Sequence, residues 1–283
     1  MNRITLEIEP VAIYPHFDKV AFRAKKGWTK KDERLITANV HEGKADMRKG
    51  HPIRGSDLDW LLTVTAPNEI AKKAIVDNGG YVPNSVEVTL DIIVETDRQR
   101  EYLQQFFTEH FTQSHHGKRD GVDFGHGSYS RLRSVRNFKW YCDKNSKVAQ
   151  PLHAKHCFHF EAMHQGMAAC RKIGIKTADD LIGFDHLAYW QQYLKLMGVD
   201  LERLGRGHSN RIRKERRQTP KITQHASLTY NEDRRVGGML FRILGAKNHN
   251  HTVQRLIDRT GRGPHLYEID ASPITMKIAA QKA

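Results

Sequence analysis

The sequence predicts an α+β fold, in which helices pack on one face of an antiparallel sheet and a basic helical C-terminal extension follows. Two observations support this prediction. Segments with strand patterns alternate with segments of helical spacing through the first two thirds of the chain. After residue 205 the composition becomes basic and poor in apolar residues. We therefore predict an α+β domain over residues 1–200, a basic linker or arm over 201–222 and a small helical region over 223–283.

Short-range signals define the elements of the first part. The predicted elements are a strand at 58–65, a helix at 69–76, a strand at 85–94 and a helix at 97–111. Asn68 stands at the N-cap position of the first helix, and Asn78-Gly79-Gly80 is a turn signal at its end. The second strand alternates polar and apolar residues at its start, which is typical of a half-buried strand.

The second part begins with a polar stretch rich in His and Gly and then turns helical. The predicted elements are a loop at 114–127, strands at 135–142 and 156–163, a helix at 165–173 and a helix from 177 to 194. Gly174 follows the first of these helices as a C-cap.

Charge indicates the class of partner. The chain has 46 Lys and Arg against 32 Asp and Glu, a formal net charge of +14, which favours a polyanion such as DNA. Six arginines and lysines crowd one short stretch: Arg206, Arg211, Arg213, Lys214, Arg216 and Arg217. This stretch is either a DNA-contacting arm or a solvated charged surface. Three cysteines without metal-finger or disulfide spacing favour a reducing cytoplasm, and no apolar run predicts a membrane span.

Acidic residues on two predicted strands are candidate metal ligands. Glu87, Thr89 and Asp91 share one face of their strand because side chains alternate, and His159 and Glu161 share a face of another. The two acids of the first strand lie roughly 13 Å apart by strand rise, so each would need ligands from a neighbouring strand. The simpler interpretation is an exposed polar sheet face.

Tyr141 is the candidate nucleophile, with Lys144 three residues on. A tyrosine hydroxyl can attack a phosphodiester when a cation or a metal neutralises the phosphate. Tyr129 and the helical pair Tyr189 and Tyr193 are alternatives. We find neither a His-hydrophobe-His motif nor a phosphate-binding Gly-rich loop in the sequence.

In order, these segments resemble the replication initiation factors of rolling-circle plasmids and filamentous phages. The matching segments are Val86-Glu87-Val88-Thr89-Leu90-Asp91, the strand ending in Tyr141-Cys142-Asp143-Lys144, His159-Phe160-Glu161, Cys170 to Ile175 and Asp179-Asp180-Leu181-Ile182. The similarity covers roughly residues 55–195. One additional residue separates the tyrosine from the lysine, so a family register fixed on Lys144 would put Cys142 in the tyrosine position.

The resemblance implies a metal-dependent nickase that starts rolling-circle replication of a plasmid or phage. It assigns Tyr141 as the nucleophile that forms a 5′-phosphotyrosine, and Lys144 as a charge partner of the phosphate. It assigns Glu161 with Glu87, Asp91 or both, and with His159, to an Mg²⁺ or Mn²⁺ ion. Double- and single-stranded origin DNA is the implied partner, and a host helicase and a second copy of the chain are further candidates. The alternative is a non-catalytic phage or plasmid DNA-binding regulator.

Overall fold

A computed structural model describes residues 5–50, 56–111, 119–123, 127–132, 136–150, 154–199 and 266–280. These residues include one antiparallel sheet of eight strands in the order β2-β3-β1-β4-β8-β7-β6-β5. Its strands are β1 (Ala12–Ala24), β2 (Ala45–Lys49), β3 (Trp60–Thr65), β4 (Val82–Ile93), β5 (Arg119–Asp123), β6 (Gly127–Leu132), β7 (Arg136–Tyr141) and β8 (Cys157–Gln165). The predicted α+β class with an antiparallel sheet is confirmed.

Helices and a second, small sheet complete the described elements. The helices are α1 (Lys30–Thr37), α2 (Glu69–Asn78), α3 (Asp97–His110), α4 (Met167–Lys172), α5 (His186–Tyr193) and α6 (Ser272–Ala280). The two-stranded sheet consists of β9 (Met197–Val199) and β10 (Leu266–Glu268). None of the described helices has the length and apolar character that a membrane crossing requires.

The chain divides into two compact units. The larger contains Ile8–Gln104, Gly117–Gln192 and Ser272–Ala283, and it holds the eight-stranded sheet. The smaller contains Met1–Glu7, Gln105–His116 and Tyr193–Ala271. Inside the smaller unit, β9 pairs with β10, and the Ile269 amide donates to the Leu196 carbonyl oxygen at 2.8 Å.

One face of the large sheet is apolar and carries helices. The alternate apolar residues of β4 are completely buried: Val86, Val88, Leu90 and Ile92. Phe160 of β8 contacts Trp190 of α5 with 5.3 Å between ring centroids, and Phe17 of β1 contacts Phe184 at 5.1 Å. Burial of each such side chain contributes about 1.5–3 kcal/mol. The polar residues of the same strands are thereby directed to the opposite face.

The local signals near β4 hold in the structure. The Asn68 side chain accepts a hydrogen bond from the Ala71 amide at the start of α2, and Gly79 ends that helix with a φ of +66°. Such a φ is strained for residues with a Cβ, which explains the glycine. The predicted strands at 58–65, 85–94, 135–142 and 156–163 correspond to β3, β4, β7 and β8.

Two local predictions are wrong. The predicted loop at 114–127 contains β5, which pairs with β6, so tertiary pairing overrides a polar, Gly-rich sequence. The predicted continuous helix from 177 to 194 is broken into a short 3-10 turn at Asp179–Leu181 and α5. The Asp185 side chain accepts from the Ala188 amide, which starts α5 anew. The basic stretch 201–222 and most of 223–283 lie outside the described residues.

Candidate active site

Strand pairing collects polar side chains on the face opposite the helices. β8 lies between β4 and β7, and His159 is directly opposite both Asp91 and Tyr141. Two residues further along β8, Glu161 is opposite Lys139. Directly opposed residues point to the same face of a sheet. Residues far apart in the sequence therefore converge on one patch of the large unit.

Asp18, Glu87 and Glu161 form the first cluster, which we call the carboxylate group. One oxygen from each lies within 4.8 Å of the others. Glu161 is 1% exposed and Asp18 is 7% exposed. Asp18 reaches the cluster because the pairing of β1 with β4 shifts register between Phe17 and Lys19, a β-bulge that redirects its side chain. Two buried carboxylates and one half-buried carboxylate at this separation repel one another and require cations.

Two lysines supply positive charge to the carboxylate group. Lys139 Nζ lies 2.5 Å from Glu161 Oε2 and 3.7 Å from Glu87 Oε2. Lys147 Nζ lies 2.6 and 2.8 Å from the two oxygens of Asp18. Burial lowers the pKa of Lys139, but attraction to Glu161 and Glu87 outweighs it and raises that pKa overall. Burial raises the pKa of Glu87, and the neighbouring Glu161 adds to the effect.

The Tyr141 hydroxyl contacts the carboxylate group directly, since it donates a hydrogen bond to Glu161 Oε1. Its ring stacks on the His159 ring with 4.7 Å between centroids, and Lys144 Nζ lies 5.3 Å from the Tyr141 ring centre. Burial raises the pKa of Tyr141 well above its ordinary value, and the Glu161 charge raises it further. The tyrosine is therefore a neutral hydroxyl beside a proton acceptor.

Asp91, Cys157 and His159 form a second cluster, the histidine–cysteine group. One ligand atom from each lies within 4.8 Å of the others, and all three residues are buried. His159 Nδ1 lies 2.7 Å from Asp91 Oδ1, and Ser146 Oγ donates to Asp91 Oδ2 at 2.5 Å. Burial raises the pKa of Asp91, but attraction to His159 and His16 outweighs it and lowers that pKa overall.

The segment that follows β7 covers both clusters. Ser146 bonds to Asp91, and Lys147 pairs with Asp18. The carbonyl oxygen of Lys144 lies 3.0 Å from His159 Nε2. Residues 144, 146 and 147 therefore contact the polar face of the sheet and cover it. This cover explains why Asp18, Asp91 and His159 are buried in the middle of the sheet.

The structure divides the predicted ligands between the two clusters. Glu87 and Glu161 lie in the carboxylate group with Tyr141, whereas Asp91 and His159 lie in the histidine–cysteine group. Lys144 lies over the Tyr141 ring. The predicted DNA-contacting residues Arg206, Arg211, Arg213, Lys214, Arg216 and Arg217 are outside the described residues.

The alternative nucleophiles are placed differently. The Tyr189 hydroxyl lies 2.7 Å from His164 Nε2 in the core, and Tyr193 is buried at the end of α5. The side chain of Tyr129 is outside the described part. Cys142 lies just beyond β7, where burial raises the pKa of its thiol.

Sequence reasoning missed Asp18, Lys139 and Lys147. Lys139 carried a usable signal, because it stands two residues before Tyr141 on a predicted strand and must share its face. Asp18 carried none, because its position depends on a bulge in β1. Lys147 depends on the path of the segment after β7.

Either cluster could hold a metal ion. The carboxylate group offers only oxygen atoms, a donor set that suits hard cations such as Mg²⁺ or Mn²⁺. Burial raises the pKa of Glu87 in spite of the attraction of Lys139, and the nearby Glu161 raises it further, so an additional cation would be favourable here. The residues therefore fit a divalent cation.

Comparison with known proteins identifies no family for this chain. No family model and no curated protein matches the chain. Among solved structures, the chain is similar to a rolling circle replication initiator protein from Geobacillus stearothermophilus, at 12% sequence identity and a TM-score of 0.38, over 66% of this chain and 88% of that one.

Proposed function

We propose that this protein nicks and joins one DNA strand through a tyrosine nucleophile, at an origin of rolling-circle replication of a plasmid or phage. The observation that carries the proposal is the hydrogen bond from the Tyr141 hydroxyl to Glu161, within a group of three carboxylates. The sequence resemblance to rolling-circle initiators supports the choice of DNA, as does the formal net charge of +14.

The reaction is a transesterification. The Tyr141 oxygen forms a bond to phosphorus, its proton passes to the Glu161 carboxylate, and the bond from phosphorus to the 3′ oxygen breaks. That oxygen takes up a proton, which leaves a 3′-OH to prime synthesis and a 5′-phosphotyrosyl link. Tyr141 needs a proton acceptor because tyrosine is protonated near neutral pH, and burial raises its pKa further.

Neighbouring groups would position the tyrosine and balance the negative charge of the phosphate. Asp18, Glu87 and Glu161 would hold a divalent cation, which when bound stabilises negative charge on the phosphate. Lys144, 5.3 Å from the Tyr141 ring centre, would contact a phosphate oxygen. The stacked His159 ring orients the tyrosine. The basic stretch 206–221 would contact the DNA backbone and add affinity without sequence choice.

The three cysteines are free thiols, which agrees with an activity in the reducing cytoplasm. A cytoplasmic location is therefore part of the proposal.

The test is a search for a covalent adduct. Single-stranded oligonucleotides that tile the replicon encoding the protein are incubated with the full chain and Mn²⁺, then separated on denaturing gels. A 5′-phosphotyrosyl link joins the protein to the DNA fragment downstream of the nick. A label at the 3′ end of the oligonucleotide should therefore migrate with the protein, and a label at the 5′ end should be released. Supercoiled plasmid carrying the active oligonucleotide sequence should become nicked.

The outcomes separate the alternatives. A non-catalytic regulator, or an initiator relative that binds without cutting, would shift the mobility of the DNA in native gels and yield no adduct with either label. That result across the whole tiled replicon would refute the nicking proposal.

A further inference from the structure

The histidine–cysteine group has a different chemistry from the carboxylate group. It offers a sulfur, an imidazole nitrogen and a carboxylate oxygen, all buried. Thiolate and imidazole ligands favour Zn²⁺ and Co²⁺, whereas Mg²⁺ prefers oxygen alone. The proposed nicking reaction leaves Cys157 without a role.

The distances in this group are close to those of a tetrahedral metal centre. Cys157 Sγ lies 3.7 Å from His159 Nδ1. Metal bonds of about 2.3 Å to sulfur and about 2.0 Å to nitrogen put these atoms about 3.5 Å apart in a tetrahedron. Asp91 Oδ1 lies 2.7 Å from His159 Nδ1, and the same geometry requires about 3.3 Å. A movement of about 0.6 Å would therefore admit the ion.

Second contacts already orient two of these ligands. His159 Nε2 lies 3.0 Å from the Lys144 carbonyl oxygen, which can only accept, so Nε2 carries a proton and Nδ1 is the atom left for a metal. Ser146 Oγ donates to Asp91 Oδ2 and fixes that carboxylate. Metal-binding histidines in proteins commonly have such a carbonyl partner.

His16, on a third strand, supports the charge of Asp91 from the other side. Its Nε2 lies 3.4 Å from Asp91 Oδ2, whereas His159 Nδ1 contacts Asp91 Oδ1. The ligand atoms that lie within 4.8 Å of one another come from Asp91, Cys157 and His159. These three residues therefore supply the donor set.

We propose that Asp91, Cys157 and His159 bind one Zn²⁺-type cation, at a site separate from the carboxylate group. Binding releases the Cys157 thiol proton and the His159 Nδ1 proton to solvent. The thiolate and the Asp91 carboxylate then balance the two positive charges of the ion, which makes burial tolerable. The ion would join β4 and β8 and fix the ring on which Tyr141 stacks.

Cobalt absorption tests the site without DNA. The full chain is stripped with chelator, reduced with a phosphine and titrated with Co²⁺. We expect one equivalent to produce a thiolate-to-cobalt charge-transfer band and the visible bands of tetrahedral Co²⁺, and one equivalent of Zn²⁺ to abolish both. Excess Mg²⁺ should leave them unchanged. A fully reduced, folded protein with no charge-transfer band would overturn the proposal.

Variants identify the ligands. Cys157→Ser should lose the charge-transfer band, whereas Cys142→Ser and Cys170→Ser, which change the other two buried thiols, should keep it. Should Cys157→Ser fail to fold by circular dichroism, Asp91→Asn tests the same site, and its Co²⁺ affinity should fall at least tenfold. A band that persists in folded Cys157→Ser, or an unchanged affinity in Asp91→Asn, would disprove the assignment.

This inference and the proposed function fail separately. Glu161→Gln should slow formation of the DNA adduct at least about 10²-fold and keep the cobalt band, since Glu161 is in the carboxylate group. If the wild-type protein gives the cobalt band but no adduct, the zinc-site proposal stands and the nicking proposal fails. If it gives the adduct but no cobalt band, the nicking proposal stands and the zinc-site proposal fails.

Discussion

The Tyr141 hydroxyl donates a hydrogen bond to a Glu161 oxygen, although the two residues are separated by 20 positions in the chain. They belong to neighbouring strands, where Tyr141 is opposite His159 and Glu161 is opposite Lys139. The bond is thus a diagonal contact across β7 and β8, on the face opposite the helices. It joins a protonated hydroxyl to a carboxylate that also contacts a lysine.

Tyr141→Phe should eliminate the covalent adduct and preserve both fold and DNA affinity, because it removes only the hydroxyl. Loss of one hydrogen bond should lower the free energy of unfolding by about 0.5–1.5 kcal/mol. Adduct gels and urea denaturation measure the two effects. Tyr189→Phe, which removes the hydroxyl near His164, is the matched control and should keep the adduct. If Tyr141→Phe still forms the adduct, another tyrosine is the nucleophile, and Tyr129→Phe is the next variant to test.

Glu161→Gln should slow adduct formation about 10²–10⁴-fold, because the amide cannot accept the tyrosine proton. Glu161→Ala should abolish nicking too. Origin binding should be largely unchanged in both, because binding depends on basic residues elsewhere. Single-turnover rates and gel shifts measure these effects. Normal rates at both limiting and saturating Mg²⁺ would remove Glu161 from the site.

Chelation by EDTA should stop adduct formation, and Mg²⁺ or Mn²⁺ should restore it. Asp18→Asn should raise the metal concentration that gives half-maximal rate, because one ligand loses its charge. Asp18 also pairs with Lys147, so Lys147→Met is the matched control. An equal effect of the two variants would mean that Asp18 acts through the ion pair and not as a ligand.

The Asp91–His159 pair should make stability depend on pH. Burial alone would lower the pKa of His159, but Asp91 raises it above 6.5, while the pKa of Asp91 is held below 3.8. The stabilisation by His159 is present below about pH 6.5 and lost as pH rises through its raised folded pKa. The stabilisation by Asp91 is present above about pH 3.8 and lost as pH falls through its depressed folded pKa.

The difference in unfolding free energy between wild type and His159→Gln should therefore be largest between about pH 4 and 6.5 and decline on both sides. Chemical denaturation in EDTA at several pH values measures it. His156→Gln is the control, because His156 pairs with Asp97 at the surface, where such a pair contributes little to stability. A pH-independent difference for His159→Gln would contradict the prediction.

DNA binding should weaken steeply with salt, and removal of residues 206–221 should weaken binding to all sequences alike. Each lost phosphate contact should reduce the slope of log affinity against log salt by about 0.9 for duplex DNA. Fluorescence anisotropy with an origin and a scrambled duplex gives both slopes. A deletion that leaves the slope unchanged would identify the stretch as a solvated charged surface.

The sequence alone determined much of the fold. Strand alternation at 85–94 and apolar runs at 58–65 and 156–163 predicted strands that the structure contains, because a sheet with one buried face imposes a period of two. The same period places Glu87 and Asp91 on one face of their strand, and His159 and Glu161 on one face of theirs. Local capping signals likewise located the ends of α2.

Tertiary structure decided which of these residues meet. Register between β4 and β8 sets Asp91 opposite His159, and a bulge in β1 directs Asp18 to Glu87 and Glu161. Neither a register nor a bulge follows from residue patterns, because pairing energies depend on the partner strand. The sequence therefore supplied the chemical groups and their faces, and only long-range strand pairing separated them into an oxygen-only cluster and a sulfur–nitrogen cluster.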